Sequence, residues 1–291
     1  MSRSPAVHVF TTACGASDRV MRNALGLIRS LYAGLRRHPR TLHLHLLHDG
    51  GPAAARLAQL VRRALALGLL SPSRLRFSAS PTSLPARWRS AFALCSFARL
   101  SIAAEFPRLD HAIYIDADAY VLGDIREAFD ATFAAFGAAQ WAAVALESER
   151  GSNYYHSYLR QHPEAAEHVF TPQGLNAGVL MMNLTRLRAT DFTSFAFNFS
   201  GRMPMGDQDV INSYFARRRE EVYLLPCQLN RRPDSNCPDA AWKEPAILHG
   251  NREAFVSAPG GNPKTLPFTS PLFLAAGQFY QLDALSKSPG L

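Results

Sequence analysis

HAIYIDADAYVLGDI, residues 111 to 125, decides how the rest of the chain is read. The apolar run Ile113-Tyr114-Ile115 predicts a buried strand, and it ends in Asp-Ala-Asp. Residues i and i+2 of a strand point to the same side, so Asp116 and Asp118 leave one strand end together. Two carboxylates that close repel each other unless a cation lies between them, and oxygen donors suit magnesium or manganese. Asp is also common in turns after strands, so the triplet alone is compatible with a plain turn. On the cation reading it is a grip for a phosphate-bearing ligand.

Upstream, AVHVFTTACG at 6 to 15 reads as a first parallel strand feeding a ligand-binding turn. Val20, Ala24, Leu27, Ile28, Leu31 and Leu35 then form one apolar helical stripe. LHLHLLHD at 42 to 49 alternates as a strand does, and Leu57, Leu60, Val61, Ala64 and Leu65 predict a second helix closed by Gly68. A third strand is expected over 74 to 80, and SAFALCSFARLSIAAEF at 90 to 106 reads as one buried apolar helix. Downstream, Ile125, Phe129 and Phe133 mark an amphipathic helix, 142 to 146 a strand, and 147 to 172 a polar, loosely helical insertion. GLNAGVLMMN at 174 to 183 reads as a small-residue turn and a strand, and VYLLP and AILHGN, the latter ending at His249, as two more. Residues past Phe255 are rich in Pro, Gly and Ser, with one short helix expected over 273 to 284. Alternating strands and helices predict an α/β fold with a mostly parallel sheet covered on both faces. Its ligand crevice is expected at the carboxyl ends of the strands.

At 291 residues and 47% hydrophobic side chains the chain can bury one large core. No linker divides it, and the expectation is a single domain over 1–291 with a smaller lobe and an irregular tail at 256–291. The formal charge of +8 favours an anionic partner, but the arginines are spread over helix faces, as at Arg56, Arg62 and Arg63. No aromatic-basic interleaving accompanies them, so nucleic acid is not expected as a partner. The longest apolar segment, 133 to 146, is too short to cross a bilayer and holds Gln140, so no membrane span is expected. Nor does the amino terminus read as a secretory signal. Cys14 and Cys95 read as ordinary buried thiols. Cys227 and Cys237 bracket a polar loop without further zinc-spaced ligands, which favours a loop-closing disulfide over a metal and hints at an oxidising lumen. Asn183-Leu-Thr185 and Asn198-Phe-Ser200 are sequons compatible with that compartment.

Three further residues bear on the carboxylate pair. His249 ends a strand where the crevice is expected, and is a candidate third ligand. Asp207, in MGDQDVINSYFA at 205 to 216, sits near a helix start where a carboxylate would cap free amides. Arg99 interrupts an apolar helix; it reads equally as a rim residue snorkelling to water or as a cation aimed at phosphate.

Taken together, IYIDADAYVLGDI, GLNAGVLMMNLTRLR at 174 to 188, GDQDVIN at 206 to 212 and PCQLNRRPDSNC at 226 to 237, closing on ILHGNRE at 247 to 253, resemble glycosyltransferase family 8. These are retaining nucleotide-sugar enzymes of the GT-A fold, and the likeness is strongest to the eukaryotic glucoside xylosyltransferases that extend O-glucose. The resemblance implies that Asp116, Asp118 and His249 hold manganese, or magnesium, with Asp116 also near the ribose. It implies that Thr11, Thr12 and Ala13 lie against uracil and ribose, and that Arg99 is aimed at the diphosphate. Asn176, Ala177 and Gly178 would border the donor sugar, Asp207 and Gln208 would bond its hydroxyls, and Asn251 would take part in phosphate contacts. The donor is expected to be a UDP-sugar, UDP-xylose first, and the acceptor a glycan or glycoprotein. Golgi or ER lumen is the expected site of action if an upstream anchor or signal precedes the chain. Asp207, Gln208 and Asn176 are the candidate catalytic residues, with front-face substitution favoured over a covalent intermediate because a Gln amide is a poor nucleophile.

The chain departs from that branch in places. Its 227 to 237 loop has two cysteines rather than three, Asn-Arg-Arg replaces Asn-Tyr-Arg, and the Lys-Pro-Trp expected after His-X-X-Gly is missing from HGNREAF. Other readings are a UDP-glucose or galactose transferase, a magnesium phosphohydrolase, or a non-catalytic sugar binder. The phosphohydrolase needs its triplet in the first strand and a later sheet lysine, whereas Lys243, Lys264 and Lys287 lie outside strand-like segments.

Overall fold

The computed structural model describes residues 6–36, 38–82, 88, 94–147, 154–201, 204–232, 237 and 246–250. Its strands are β1 (Ala6–Thr12), β2 (Thr41–His48), β3 (Leu75–Pro81), β4 (His111–Ile115), β5 (Ala119–Leu122), β6 (Ala142–Leu146), β7 (Leu175–Asn183), β8 (Val222–Leu224) and β9 (Ala246–His249). Its helices are α1 (Asp18–Gly34), α2 (Pro52–Ala66), α3 (Ile102–Glu105), α4 (Ile125–Ala135), α5 (Tyr154–Gln161), α6 (Leu184–Arg188), α7 (Phe192–Asn198) and α8 (Asp207–Ala216). Seven strands form one sheet in the order β3-β2-β1-β4-β7-β6-β8, and β5 pairs with β9 in a second, two-stranded sheet. Only the pairings of β7, with β4 and with β6, are antiparallel in the large sheet. The mostly parallel α/β expectation therefore holds.

Alternation along the central strands divides the core into two layers. Val7, Val9, Leu44 and Ile113 pack with Leu27, Leu31, Leu57 and Phe129. Phe10 and Tyr114 face the other way, towards Phe97, Trp141, Tyr214 and Phe215. Apolar residues on both faces are what a covered parallel sheet requires. Helix α1 starts at Ser17, whose side chain accepts a hydrogen bond from the Arg19 amide, and α4 starts at Asp124, which accepts from Arg126. Asp124 and Arg126 are both buried, and the guanidinium also donates to the carbonyls of Arg36 and Arg40 at 2.6 and 2.5 Å. This fastens α4 to the segment after α1.

Four expectations are corrected. Residues 94–100 form a 3-10 helix, and a break at Ser101 separates it from α3, so the stretch ending at 106 is not one α-helix. Its side chains are tied outward: Cys95 to Cys14, Ser96 to Asp207 and Arg99 to Asp116. Such anchors outweigh helical propensity, which is only a weak prior. Cys14 and Cys95 are accordingly a disulfide, not free thiols, while Cys227 and Cys237 are paired as expected. The triplet Asn176-Ala177-Gly178 lies inside β7 rather than in a turn before it. Finally, Asp207 is the first residue of α8 and not its cap; Gly206, at φ 67°, occupies the cap position. That left-handed conformation suits Gly, which has no Cβ to clash. The helix expected over 273 to 284 lies outside the described residues.

Candidate active site

Strand β4 ends at Ile115, and the turn Asp116–Asp118 leads into β5. Because β5 pairs antiparallel with β9, Ala119 stands opposite His249 and brings that ring back to the turn. His249 Nε2 lies 3.6 Å from Asp116 Oδ2 and 3.5 Å from Asp118 Oδ1. The Gly250 amide also donates to the Asp118 carbonyl at 2.6 Å. His249 is buried, whereas the two carboxylates remain 24% and 33% exposed and so open to solvent and ligand. Two carboxylates and one imidazole within 4.8 Å of each other form a donor set that fits a hard or borderline divalent ion such as magnesium or manganese.

Protonation follows from this crowding. Burial resists the charge on His249, but the hydrogen bond and charge of Asp118 and the charge of Asp116 outweigh it and raise its pKa. Burial likewise opposes ionisation of Asp118, yet its hydrogen bond with His249 holds it below the usual carboxylate range. Asp116 is pushed up, chiefly by burial, against the pull of Arg99 and His249. A proton on His249 would offset the charge of the two carboxylates, as a cation held between them would.

Antiparallel β7 begins where β1 and β4 end, and so delivers its first residues to the same place. The Asp116 amide donates to the Gly178 carbonyl at 2.8 Å. Gly178 is required here for space: a Cβ on it would overlap the His249 ring at Cε1 and Nδ1. His249 Nδ1 is 3.0 Å from Asn230 Oδ1, and Asn230 Nδ2 donates to Asn176 Oδ1 at 2.7 Å. Asn176 donates in turn to Glu147 Oε2 at 2.7 Å. Glu147 is buried and also accepts from Gln208 Nε2 at 3.1 Å, with Arg232 at 2.9 Å as its ion partner. Gln208 Oε1 accepts from the Ala177 amide at 3.0 Å. Asn176, Ala177, Gly178 and Gln208 therefore belong to one buried polar network behind the carboxylate turn.

Arg99 is nearly fully buried and joins the turn to α8. It meets Asp116 Oδ1 at 3.0 Å and Asp207 Oδ2 at 2.7 Å, donates to the Ala177 carbonyl, and lies 4.2 Å above the Tyr114 ring. Of its two readings, the solvent-snorkelling one is excluded. Tyr114 Oη donates to Asp116 Oδ1 at 2.8 Å and is 3.1 Å from Thr12 Oγ1, which ties the end of β1 to the same cluster. Thr11 and Ala13 are buried, Ala13 in the core layer with Val7 and Val9, and the Thr11 hydroxyl has no hydrogen-bond partner among the described residues. Asn251 lies outside the described residues. Sequence reasoning did not single out Glu147, Asn230 or Arg232. Asn230 and Arg232 stand within a stretch that had been noticed, but Glu147 carries no sequence signal beyond being polar at the start of an insertion.

Residues 56–249 match the family model described as Glycosyl transferase family 8. Among curated relatives, glucoside xylosyltransferase 2 of Mus musculus is 30% identical over 191 residues, 59% of this chain and 42% of that protein. Glucoside xylosyltransferase 1 of Danio rerio is 32% identical over 58% of this chain and 45% of its own length. The Mus musculus glucoside xylosyltransferase 1 is 27% identical over 86% of this chain and 63% of its own. The matches thus span less than two thirds of each relative. In three dimensions the chain is similar to the apo crystal structure of mouse xyloside xylosyltransferase 1, with a TM-score of 0.63, 18% identity, and coverage of 85% of this chain and 98% of that one. A galactosyltransferase solved with donor and acceptor sugar analogs gives a TM-score of 0.58 at 17% identity, covering 94% and 95%. Likeness at such identity establishes the fold.

Proposed function

The chain belongs to glycosyltransferase family 8, and on that premise we propose that it is a retaining, metal-dependent transferase that moves xylose from UDP-xylose to an O-glucose-type glycan or glycoprotein. One observation carries the reading: Asp116, Asp118, His249 and the buried Arg99 converge at one strand end. The names of the curated relatives support xylose as the sugar. In this reading 6–130 is the nucleotide-binding half and 131–255 the half that meets donor sugar and acceptor.

Asp116, Asp118 and His249 would hold manganese or magnesium, which supplies charge neutralisation to the departing diphosphate. Arg99 adds a fixed positive charge that is already anchored by Asp116 and Asp207, so little reorganisation is needed as the leaving group gains charge. Thr11, Thr12 and Ala13 border the uridine side. Asn176, Gln208 and Asp207 orient the donor sugar, with Gln208 and Asn176 prealigned by Glu147. In front-face substitution the bond from the anomeric carbon to the diphosphate oxygen breaks, and the acceptor oxygen bonds that carbon on the same face. The acceptor proton passes to the leaving diphosphate oxygen. Asp207, held by Arg99, stabilises the positive charge that develops on the sugar. The two disulfides favour an oxidising compartment, and Golgi or ER lumen is the location proposed.

A panel of UDP-sugars with manganese, scored for UDP release with and without O-glucosylated acceptor, tests this reading. UDP-xylose should turn over best, and Asp118→Asn should abolish metal-dependent turnover while leaving the fold intact. Turnover of none of the sugars would overturn the enzyme reading, and a sugar-Asp207 adduct trapped in mass spectrometry would overturn front-face substitution.

A further inference from the structure

A second group of ligand-type side chains stands on the large sheet away from the carboxylate turn. His8 of β1 is the register partner of His43 in β2, and His45 follows two residues on, so all three project from one face. This is the face opposite Val7, Val9, Leu42 and Leu44. His8 is four residues, roughly 13 Å of strand, before Thr12, where the proposed donor site begins. One ring nitrogen from each of the three lies within 4.8 Å of the others. His8 Nδ1 is 2.9 Å from His45 Nε2, and the His43 and His45 rings stack at 4.0 Å.

Two features distinguish the cluster from histidines that merely pack. Ser78 of β3, the register partner of His45, lies 2.9 Å from His45 Nδ1. That contact occupies one nitrogen and directs Nε2 into the cluster, as outer-shell partners do for metal-bound imidazoles. Phe10 stacks on the His45 ring at 4.3 Å and Phe106 meets it edge-on at 5.4 Å, so its orientation is fixed from both directions. Burial, followed by the neighbouring imidazoles, pulls His45 down to about 2, and burial and His43 pull His8 down to about 4. Burial and then the Arg76 charge also lower His43. The rings therefore favour the neutral form, each with one lone pair, and the 2.9 Å hydrogen bond between His8 and His45 is the contact that a bound ion would replace. His8 and His43 are only half-buried, which leaves the cluster open on one side.

We propose that His8, His43 and His45 form a binding site for a zinc-class transition-metal ion, distinct from the Asp116-Asp118-His249 site and independent of it. The donor set argues for that class: three neutral imidazoles favour zinc, copper, nickel or cobalt, whereas magnesium and manganese prefer oxygen. Imidazole nitrogens on one zinc at about 2.0–2.1 Å stand roughly 3.3 Å apart in a tetrahedron. Reaching that spacing requires the half-buried His8 and His43 rings to turn about the fixed His45 ring. With three protein ligands, the fourth position falls on the open side, where water or an outside ligand completes the shell. Bound there, the ion clips β1 to β2 with β3 in support. Arg76 is exposed, and its charge is screened by solvent.

The test uses untagged, chelator-treated protein and zinc titrated against a chromophoric chelator. Asp118→Asn should still take up one tight zinc equivalent and melt several degrees higher with it. His43→Gln and His8→Gln should each bind zinc at least 100-fold more weakly in that background. Cobalt should show the intense visible absorption of a tetrahedral site in the parent and lose it in both variants. His43→Gln alone should leave manganese-dependent turnover unchanged. Zinc binding indifferent to both histidine changes overturns the proposal, as does zinc uptake lost in Asp118→Asn. Cobalt absorption needs only the parent protein, so its absence overturns the proposal even where a variant folds poorly.

Discussion

Replacing Asn230 with Ala should weaken the metal site without touching a metal ligand. Asn230 and His249 are 3% and 4% exposed, and the 3.0 Å contact from His249 Nδ1 to Asn230 Oδ1 holds the proton on that nitrogen. Nε2 is then left to face Asp116 and Asp118 at 3.6 and 3.5 Å. Without the acceptor, a buried N–H loses its partner at a cost of about 1–3 kcal/mol, and the ring is free to turn or change tautomer. Loss of such outer-shell partners typically costs about 10–100-fold in metal affinity, or roughly 1.4–2.7 kcal/mol. Manganese titrations of UDP-sugar turnover at saturating donor should show that shift in half-saturating metal. Asn230→Asp separates the two roles of this side chain, because it keeps an acceptor for His249 but loses the donor to Asn176 Oδ1. Its metal dependence should stay near that of the parent while its donor saturation worsens. The pH dependence has a definite sign. In the metal-free protein His249 is raised, so its proton competes with the cation, and apparent metal affinity should climb with pH until His249 has titrated. By the same linkage, its contribution to the stability of the metal-free fold is present below about pH 6.5 and lost as pH rises through the raised value. Parent-like metal titration in Asn230→Ala would refute this account of how the imidazole is aimed.

Gly178→Ala places a methyl where the His249 ring lies; it should cost about 1–3 kcal/mol of stability and lose most metal-dependent turnover, and full turnover with parent-like manganese dependence would contradict it. Arg126→Ala leaves Asp124 buried and unpaired and frees the Arg36 and Arg40 carbonyls, so urea unfolding should show a loss of about 3–5 kcal/mol; less than about 1 kcal/mol would count against the buried lock. Asp209 is pushed up to about 7 by burial, against hydrogen bonds from the Met205 amide and the Tyr155 hydroxyl. Its raised value gives stability that is present below about pH 4 and lost as pH rises towards 7, a span worth about 4 kcal/mol. Asp209→Asn should remove that slope from denaturation curves at pH 5 and 8, and an unchanged slope would refute it.

How much of this could be read from the chain depended on whether a residue acts by position or through another residue. Asp116 and Asp118 were legible as acids delivered at the end of β4, but they stand in the turn beyond it, so the turn and β5, not the i and i+2 alternation of a strand, bring them together. His249 was legible as a strand end, but not as part of the small sheet with β5, since pairing between residues 119 and 249 is set by long-range closure that no local pattern encodes. The single helix expected up to residue 106 failed for a related reason. Its apolar character was genuine, yet Cys95, Ser96 and Arg99 each answer to a partner elsewhere, and three outward anchors within five residues outweigh a preference worth tenths of a kcal/mol per position. Asp207 was expected to cap α8 because a carboxylate near a helix start usually does. Arg99 offers it a charged, buried partner instead, and Gly206 assumes the cap geometry. Glu147 is the limiting case. Nothing in an isolated Glu before a polar insertion distinguishes it from a solvated one, yet it joins Asn176, Gln208 and Arg232 behind the site. A buried carboxylate is stable only when its partners are already assembled. Its importance is therefore a property of β6, β7, α8 and the 227–232 segment meeting, and becomes visible only once they have met.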